Sequence, residues 1–229
     1  MVYRDPMSII STVPLFSGLN ERELKSFLSR VRTQHYRVGE VIFHKDDPGD
    51  TFHLILDGLV KIYLASEDGQ EAVLIMLKPG EFFGELSLLD GAPRSASALA
   101  MQATVTCTID RTNFLGFIKE QPEAAIPFFS VLASRLRRAD GIIGDAAFLD
   151  LTARVAKTLL ELADDFGRPT PDGIEIDLRL RQQDVASMVS ATRESVNRTL
   201  AALEEHGILR IDRQRITLLN LDQLRSRIH

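Results

Sequence analysis

The chain has 229 residues and a formal net charge of −5, enough length for one large or two modest domains. Its 45% apolar and 26% charged residues are those of a globular protein, and no run of about eighteen apolar residues is present, which argues against a membrane-spanning helix. The single cysteine, Cys107, excludes an internal disulfide and an iron–sulfur cluster held by several thiolates.

Met1–Ser11 carries Arg4 but no apolar stretch of signal-peptide length, so a cytoplasmic location is expected. An acidic chain is an unpromising partner for nucleic acid, but the charge is unevenly divided. Residues 1–150 hold 15 basic and 20 acidic side chains, whereas residues 151–229 hold 12 of each. A DNA-binding role for the second half therefore requires arginines gathered on one face.

Order is expected to begin at Pro14. Asn20 can cap a helix whose apolar residues Leu24, Phe27, Leu28 and Val31 have helical spacing. From Gln34 to about Asp110, short apolar runs alternate with turn signals such as Asp47-Pro48-Gly49-Asp50, Leu56-Asp57-Gly58 and Lys78-Pro79-Gly80. This texture predicts an antiparallel sandwich or barrel of short strands, with Cys107 a structural strand residue.

The longest connection in that barrel is Gly84–Ser97. Gly84 permits close backbone approach, and a helical turn after it, through Glu85 and Leu86, would aim free N–H groups at an anion. Arg94 is a planar, permanent cation suited to phosphate, and Ser95 adds a hydroxyl. Glu85 would be repelled by a phosphate unless it accepts from sugar hydroxyls, so the group suggests a nucleotide. The same residues also suit a strand, a surface turn and another strand, with Arg94 merely exposed.

Pro122 suits the first turn of a long helix running to about Phe148, with Ile126, Phe129, Val131, Leu132, Leu136, Ile142 and Ile143 along it. That is more apolar surface than a small barrel can cover, which predicts a parallel two-helix dimer interface; packing against the following domain is the other solution. A hinge is placed around residues 145–150, and Asp150 or Thr152 caps the next helix, which stops near Gly167-Arg168-Pro169. After a strand at Ile174–Leu178, a short helix at Gln182–Val189 and a break at Ser190-Ala191 lead to a second helix, capped by Thr192 and ended by Gly207. Arg193, Glu194, Asn197 and Arg198 cluster in its first two turns, where a recognition helix meets base edges. A solvated face with a Glu194–Arg198 pair is the plain alternative. Ile208–Ile211 and Arg215–Leu219 then read as a β-hairpin wing, with Arg213 and Arg215 near backbone phosphates.

Phe83-Gly84-Glu85-Leu86-Ser87-Leu88-Leu89 followed by Pro93-Arg94-Ser95-Ala96-Ser97 resembles the phosphate-binding cassette of cyclic-nucleotide-binding domains. Thr192-Arg193-Glu194-Ser195-Val196-Asn197-Arg198 is similar to the recognition helix of the cyclic-AMP receptor branch of the CRP/FNR superfamily, and Ala147–Ala156 to its hinge. The resemblance covers nearly the whole chain. It implies an α+β architecture: a double-stranded β-roll that binds a cyclic nucleotide over residues 1–120, a long dimerisation helix over 121–148, and a winged helix-turn-helix DNA-binding domain over 149–229. By the same resemblance Gly84, Glu85, Leu86, Arg94 and Ser95 hold sugar and phosphate. Arg193, Glu194 and Arg198 read a TGTGA-type half-site, and Arg181, Gln182 and Thr192 lie near phosphates. RNA polymerase is implied as a further partner of the homodimer on double-stranded DNA.

Two departures stand out. Ser190 occupies a turn position that is usually Gly in the family, and Ala139-Asp140 replaces the Thr-Ser or Thr-Asn pair that contacts adenine. Asp140 can accept from an adenine amino group, or equally from guanine N1–H and N2–H, so cyclic AMP, cyclic GMP and no ligand all stay open, with cyclic AMP placed ahead on Ser95. His44 and His53 read as ordinary strand residues rather than haem ligands, and no histidine spacing suits a metal. No nucleophile–base arrangement or Walker-type phosphate loop is present, which disfavours an enzyme acting on nucleotides.

Overall fold

The computed structural model describes Ile10, Val13, Phe16 and residues 18–228; most of the expected start at Pro14 lies outside these. Helix α1 (Glu21–Leu28) opens with a capping box. Asn20 Oδ1 accepts from the Arg22 and Glu23 N–H groups at 3.0 and 3.1 Å, and the Glu23 carboxylate accepts from the Asn20 N–H at 2.8 Å.

The short strands follow as β1 (Arg32–Tyr36), β2 (Val41–Phe43), β3 (Thr51–Asp57), β4 (Val60–Ala65), β5 (Glu71–Leu77) and β6 (Phe82–Phe83). After helix α2 (Glu85–Asp90) come β7 (Ser97–Ala100) and β8 (Thr104–Asp110). They form two four-stranded sheets, ordered β1-β8-β3-β6 and β2-β7-β4-β5. Strand β3 is buried on both faces because two cores meet on it. Phe52, Leu54 and Leu56 join Cys107, Ile109, Phe27, Phe114, Phe117 and Phe128 in one, while Ile55 packs with Val60, Leu77, Phe83 and Ala98 in the other. Burial in apolar surroundings pushes the Cys107 thiol up to about 11, as suits an unreactive strand cysteine.

Helix α3 (Arg111–Glu120) is capped by Asp110, and a 3₁₀ turn at Pro122–Ala124 leads into helix α4 (Ala125–Phe148). The long helix therefore begins three residues after Pro122, its entry tightened into the 3₁₀ turn. Phe128 anchors α4 on the roll by stacking on Phe82 at 5.0 Å. On either side of that anchor along α4, Ile126, Phe129, Leu136, Ile143 and Phe148 are 61–88% exposed.

Helix α5 (Leu151–Phe166) starts at the Asp150 cap, with the Ala153 N–H donating to Asp150 Oδ1 at 2.8 Å. Strands β9 (Gly167–Thr170) and β10 (Gly173–Ile176), helices α6 (Gln182–Met188) and α7 (Arg193–Glu205), strands β11 (Leu209–Asp212) and β12 (Arg215–Leu218), and helix α8 (Leu221–Arg225) complete the chain. The third sheet runs β11-β12-β10-β9. Strand β9 was not foreseen, because Gly-Arg-Pro-Thr reads only as a helix stop; Pro169 is tolerated there because β9 is an edge strand.

The described residues divide into two units: those up to Ala65 with Leu74–Arg137, and Ser66–Val73 with those from Arg138 onward. Among them no helix is long and apolar enough to cross a membrane, and no group of three or more His, Cys, Asp or Glu side chains is placed to hold a metal ion.

Candidate functional site

In the first unit the Gly84–Ser97 stretch folds around Arg94. Gly84 is the left-handed N-cap of α2, with φ 81° and no side chain to cap the helix. The Arg94 guanidinium is drawn inward until the residue is only 4% exposed. Nη1 donates to the Gly84 carbonyl at 2.9 Å and Nη2 to the Thr51 carbonyl at 2.8 Å, while Phe43 lies 4.1 Å beneath the cation. Nε is buried with no partner. Two of five N–H donors are thus spent on carbonyls, and a fixed cation remains with donors to offer.

Desolvation lowers the affinity of Arg94 for its proton, and the charges of Asp50, Glu85 and Asp47 oppose that shift. The packing leaves no spare volume. A Cβ on Gly84 would stand 2.6 Å from Arg94 Nη1 and 2.8 Å from the Thr51 carbonyl oxygen. One on Gly49 would stand 2.4 Å from Ser87 Cβ and 3.0 Å from Arg94 Cδ. Sequence reasoning noticed Gly49 only as a turn signal, since the close approach is made by residues far along the chain.

Glu85 is 4% exposed and paired. Arg135, from α4, donates through Nη1 to Glu85 Oε1 at 2.8 Å, bonds the Phe82 carbonyl through Nη2, and lies 4.7 Å above the Phe82 ring. This partner was missed. The signal lay in the chemistry of Glu85, since a buried carboxylate requires a cation, but fifty residues separate the two. A carboxylate has about four acceptor positions, so the pair retains capacity for hydroxyl donors. Leu86 and Ser95 are exposed beside this group. Asp140 is also exposed and belongs to the second unit, five residues beyond Arg135 along α4.

Below Arg94 the roll interior holds His53, 5% exposed and stacked on Phe83 at 4.7 Å. Burial, and then the Arg94 charge, push its pKa down to about 3, so the imidazole is neutral.

In the second unit, α6 and α7 are joined through Val189–Thr192, with Ser190 in the left-handed region at φ 50°. Thr192 Oγ1 accepts from the Ser195 N–H at 3.2 Å and caps α7, while Val196, Leu200 and Leu203 are buried beneath it. Arg193, Glu194 and Arg198 are exposed together. No ion pair joins Glu194 to Arg198 among the described residues; Arg198 donates instead to Ser195 Oγ at 3.2 Å. Asn197 stands apart from them, half-buried, with Oδ1 turned away from solvent and unpartnered.

At the α6 start Arg181 is exposed and Gln182 half-buried, and Asp184 Oδ2 accepts from the Arg181 N–H at 2.7 Å. At the β11–β12 turn, Arg213 has φ 58°, and Arg179, Arg213, Gln214 and Arg215 line a hollow of about 370 Å³ with Asp212. Arg179 escaped the sequence reading, because its place beside the hairpin depends on the Leu180 N–H bonding the Gln214 carbonyl at 2.8 Å.

A β-roll with an arginine-centred cassette, followed by a winged helix-turn-helix, defines a class: transcription regulators that bind cyclic nucleotides. The comparisons agree. The family model described as "Cyclic nucleotide-binding domain" matches residues 33–121, and "Crp-like helix-turn-helix domain" matches residues 153–227. The chain is 31% identical over 219 residues to the CRP-like cAMP-activated global transcriptional regulator of Mycobacterium tuberculosis, covering 96% of this chain and 98% of that one. It is 36% identical over 198 residues to the cyclic AMP receptor protein of Thermus thermophilus, covering 86% and 88%. Among solved structures, the global regulator CLP of Xanthomonas campestris shares the fold at a TM-score of 0.79 and 24% identity, over 87% of this chain and 99% of that one.

The chain belongs to the CRP/FNR family. It is a regulator rather than an enzyme, as its relatives are.

Proposed function

We propose that this protein is a homodimeric transcription regulator gated by cyclic AMP, working in the cytoplasm with RNA polymerase at near-palindromic sites built from TGTGA-type half-sites. The observation that carries the reading is Arg94, a buried cation with unspent donors at the head of a glycine-capped helix. A cyclic phosphate is an anion of matching size and geometry. Gly84, Leu86 and Ser95 line its approach, and Glu85, held by Arg135, accepts from the ribose hydroxyl. The choice of cyclic AMP follows the names of the two curated relatives, both tied to that nucleotide.

Asp140 reads the base, with its carboxylate accepting from the adenine amino group. Because it would also accept two bonds from guanine, cyclic GMP is the second reading. Arg193, Glu194 and Arg198 supply the donors and the acceptor that suit guanine and cytosine edges. Asn197 serves from its half-buried position, and Arg181, Gln182 and Thr192 contact phosphates. The exposed residues Ile126, Phe129, Leu136 and Ile143 are three, seven and seven residues apart, and with Ala133 and Asp140 between them they complete a seven-residue repeat of alternating three- and four-residue steps. This is the stripe that a parallel two-helix seam requires.

The test is titration of the purified protein with cyclic AMP and with cyclic GMP, reading binding to a labelled palindromic duplex, with Arg94→Ala as control. Tighter DNA binding with cyclic AMP, lost in Arg94→Ala, is expected. A response confined to cyclic GMP would move the assignment to the second reading. A response that survived Arg94→Ala would remove the cassette from the mechanism.

A further inference from the structure

Helix α5 has two faces with different duties. Ala153, Val155, Ala156, Leu159, Leu162 and Ala163 are buried in the second unit. The opposite face presents Arg154, Lys157 and Glu161, spaced three and four residues apart, to the end of α4. Three links join them in antiparallel order, all within the second unit. Arg154 Nη1 donates to the Leu149 carbonyl at 2.9 Å, Lys157 Nζ lies 2.6 Å from Asp145 Oδ2, and Arg138 Nη2 lies 3.5 Å from Glu161 Oε2. Arg154 also reaches through Nε to the Val189 carbonyl at 3.2 Å, at the end of α6 and next to the left-handed Ser190.

The signs of this zipper are crossed. In one ion pair α4 supplies the anion and α5 the cation, and in the other the roles reverse. The two-residue connection Leu149-Asp150 fixes the register of the helices, and in that register both pairs bring opposite charges together. No side chain of α4 beyond Phe128 is buried, so the link to α5 is polar rather than an apolar core. The Lys157–Asp145 side chains are 34% and 26% exposed, and the Arg138–Glu161 pair 42% and 46%. Pairs this exposed are individually weak and screened by salt. A junction held by weak but register-specific contacts can exchange between arrangements with little input, which is what a switching hinge needs.

We propose that the Arg138–Glu161, Asp145–Lys157 and Arg154–Leu149 zipper is a hinge latch that sets the angle between α4 and α5 and, through it, how strongly DNA binding depends on nucleotide. The second half of this statement rests on the nucleotide-gated reading above; the first half does not. Neither ion pair touches the residues assigned to nucleotide or DNA, so the latch acts on the population of conformers and not on either contact surface.

The experiment uses the full chain with Lys157→Glu, Asp145→Lys, and the two together, which restores the pair with its signs exchanged. DNA affinity is measured with and without saturating cyclic AMP. Each single reversal is expected to change the ratio of the two affinities about threefold or more, and the exchange to return it to the wild-type value. Equal losses in both conditions, or an exchange that fails to restore the ratio, would overturn the proposal. A second readout needs no nucleotide: the distance between nitroxides at Ala146→Cys and Asp164→Cys in a Cys107→Ser background, diluted with unlabelled chain. Each single reversal should shift or broaden that distance and the exchange should restore it; an unmoved distance sinks the latch. If wild-type DNA binding ignores both nucleotides while these distances behave as expected, the latch stands and the nucleotide-gated reading falls.

Discussion

Arg94 and His53 show how much a single buried side chain can depend on its surroundings. Arg94 is usable only because Gly84 leaves room for it. Gly84→Ala adds a Cβ where backbone and guanidinium already stand, at a left-handed φ that costs an L-residue about 1–2 kcal/mol. The expected result by calorimetry is cyclic-nucleotide binding weaker by about tenfold or more, equivalent to one charge-assisted hydrogen bond, in a chain that still folds. His53 gives a pH prediction. Its folded pKa of about 3 lies below the ordinary value of 6.5, so above 6.5 both folded and unfolded chains carry it neutral and its stability contribution is complete. As pH falls from 6.5 towards 3, the unfolded chain takes up a proton that the folded chain refuses. Stability is then lost at up to about 1.4 kcal/mol per pH unit. Urea melts across this range should show a shallower acid limb for His53→Phe, which keeps the stack on Phe83 and removes the proton.

Among the elements, the turn between α6 and α7 carries backbone strain. Ser190 adopts φ 50°, where a side chain is disfavoured and glycine is not. Ser190→Gly should raise stability by about 1 kcal/mol with DNA affinity unchanged, as thermal melting and duplex titration would show. A fall in stability would mean that the Ser190 side chain contributes more than its backbone costs. Much of this level was legible from the chain alone. Asn20, Asp150 and Thr192 are caps whose chemistry acts within three residues; Asp110, which caps α3 in the same way, was passed over as the end of a strand. Strand β9 was not legible, because Gly167–Thr170 has no strand pattern and pairs only because β10 lies beside it.

At the scale of the molecule, the exposed stripe of α4 is the surface on which the proposed homodimer depends. Leu136, 64% exposed, sits at the middle of the stripe, and its side chain takes no part in the cassette's hydrogen bonds. Leu136→Glu should reduce the mass in solution, measured by light scattering, to that of one chain. Linked half-site binding would be lost with it, a fall of about a hundredfold or more in affinity for a palindromic duplex. An unchanged mass would show that the stripe is covered by something other than a second copy.

Sequence by itself determined the class of this protein, because local signals carry it: glycine and proline turns at short intervals, a cassette whose glycine, carboxylate, arginine and serine lie within twelve residues, and an arginine-bearing helix after a tight turn. The folded chain decided who neutralises whom. Arg135 with Glu85, Thr51 with Arg94, Arg179 beside the wing and Lys157 against Asp145 are separated by twelve to fifty residues or lie on different elements. Burial forces Glu85 and Arg94 to find partners; the other two placements follow from which elements the packed chain sets side by side, which no local pattern records. Arg94 joins both accounts: its identity was visible at once, and its depth, its two carbonyl partners and its unspent donors came only with the fold.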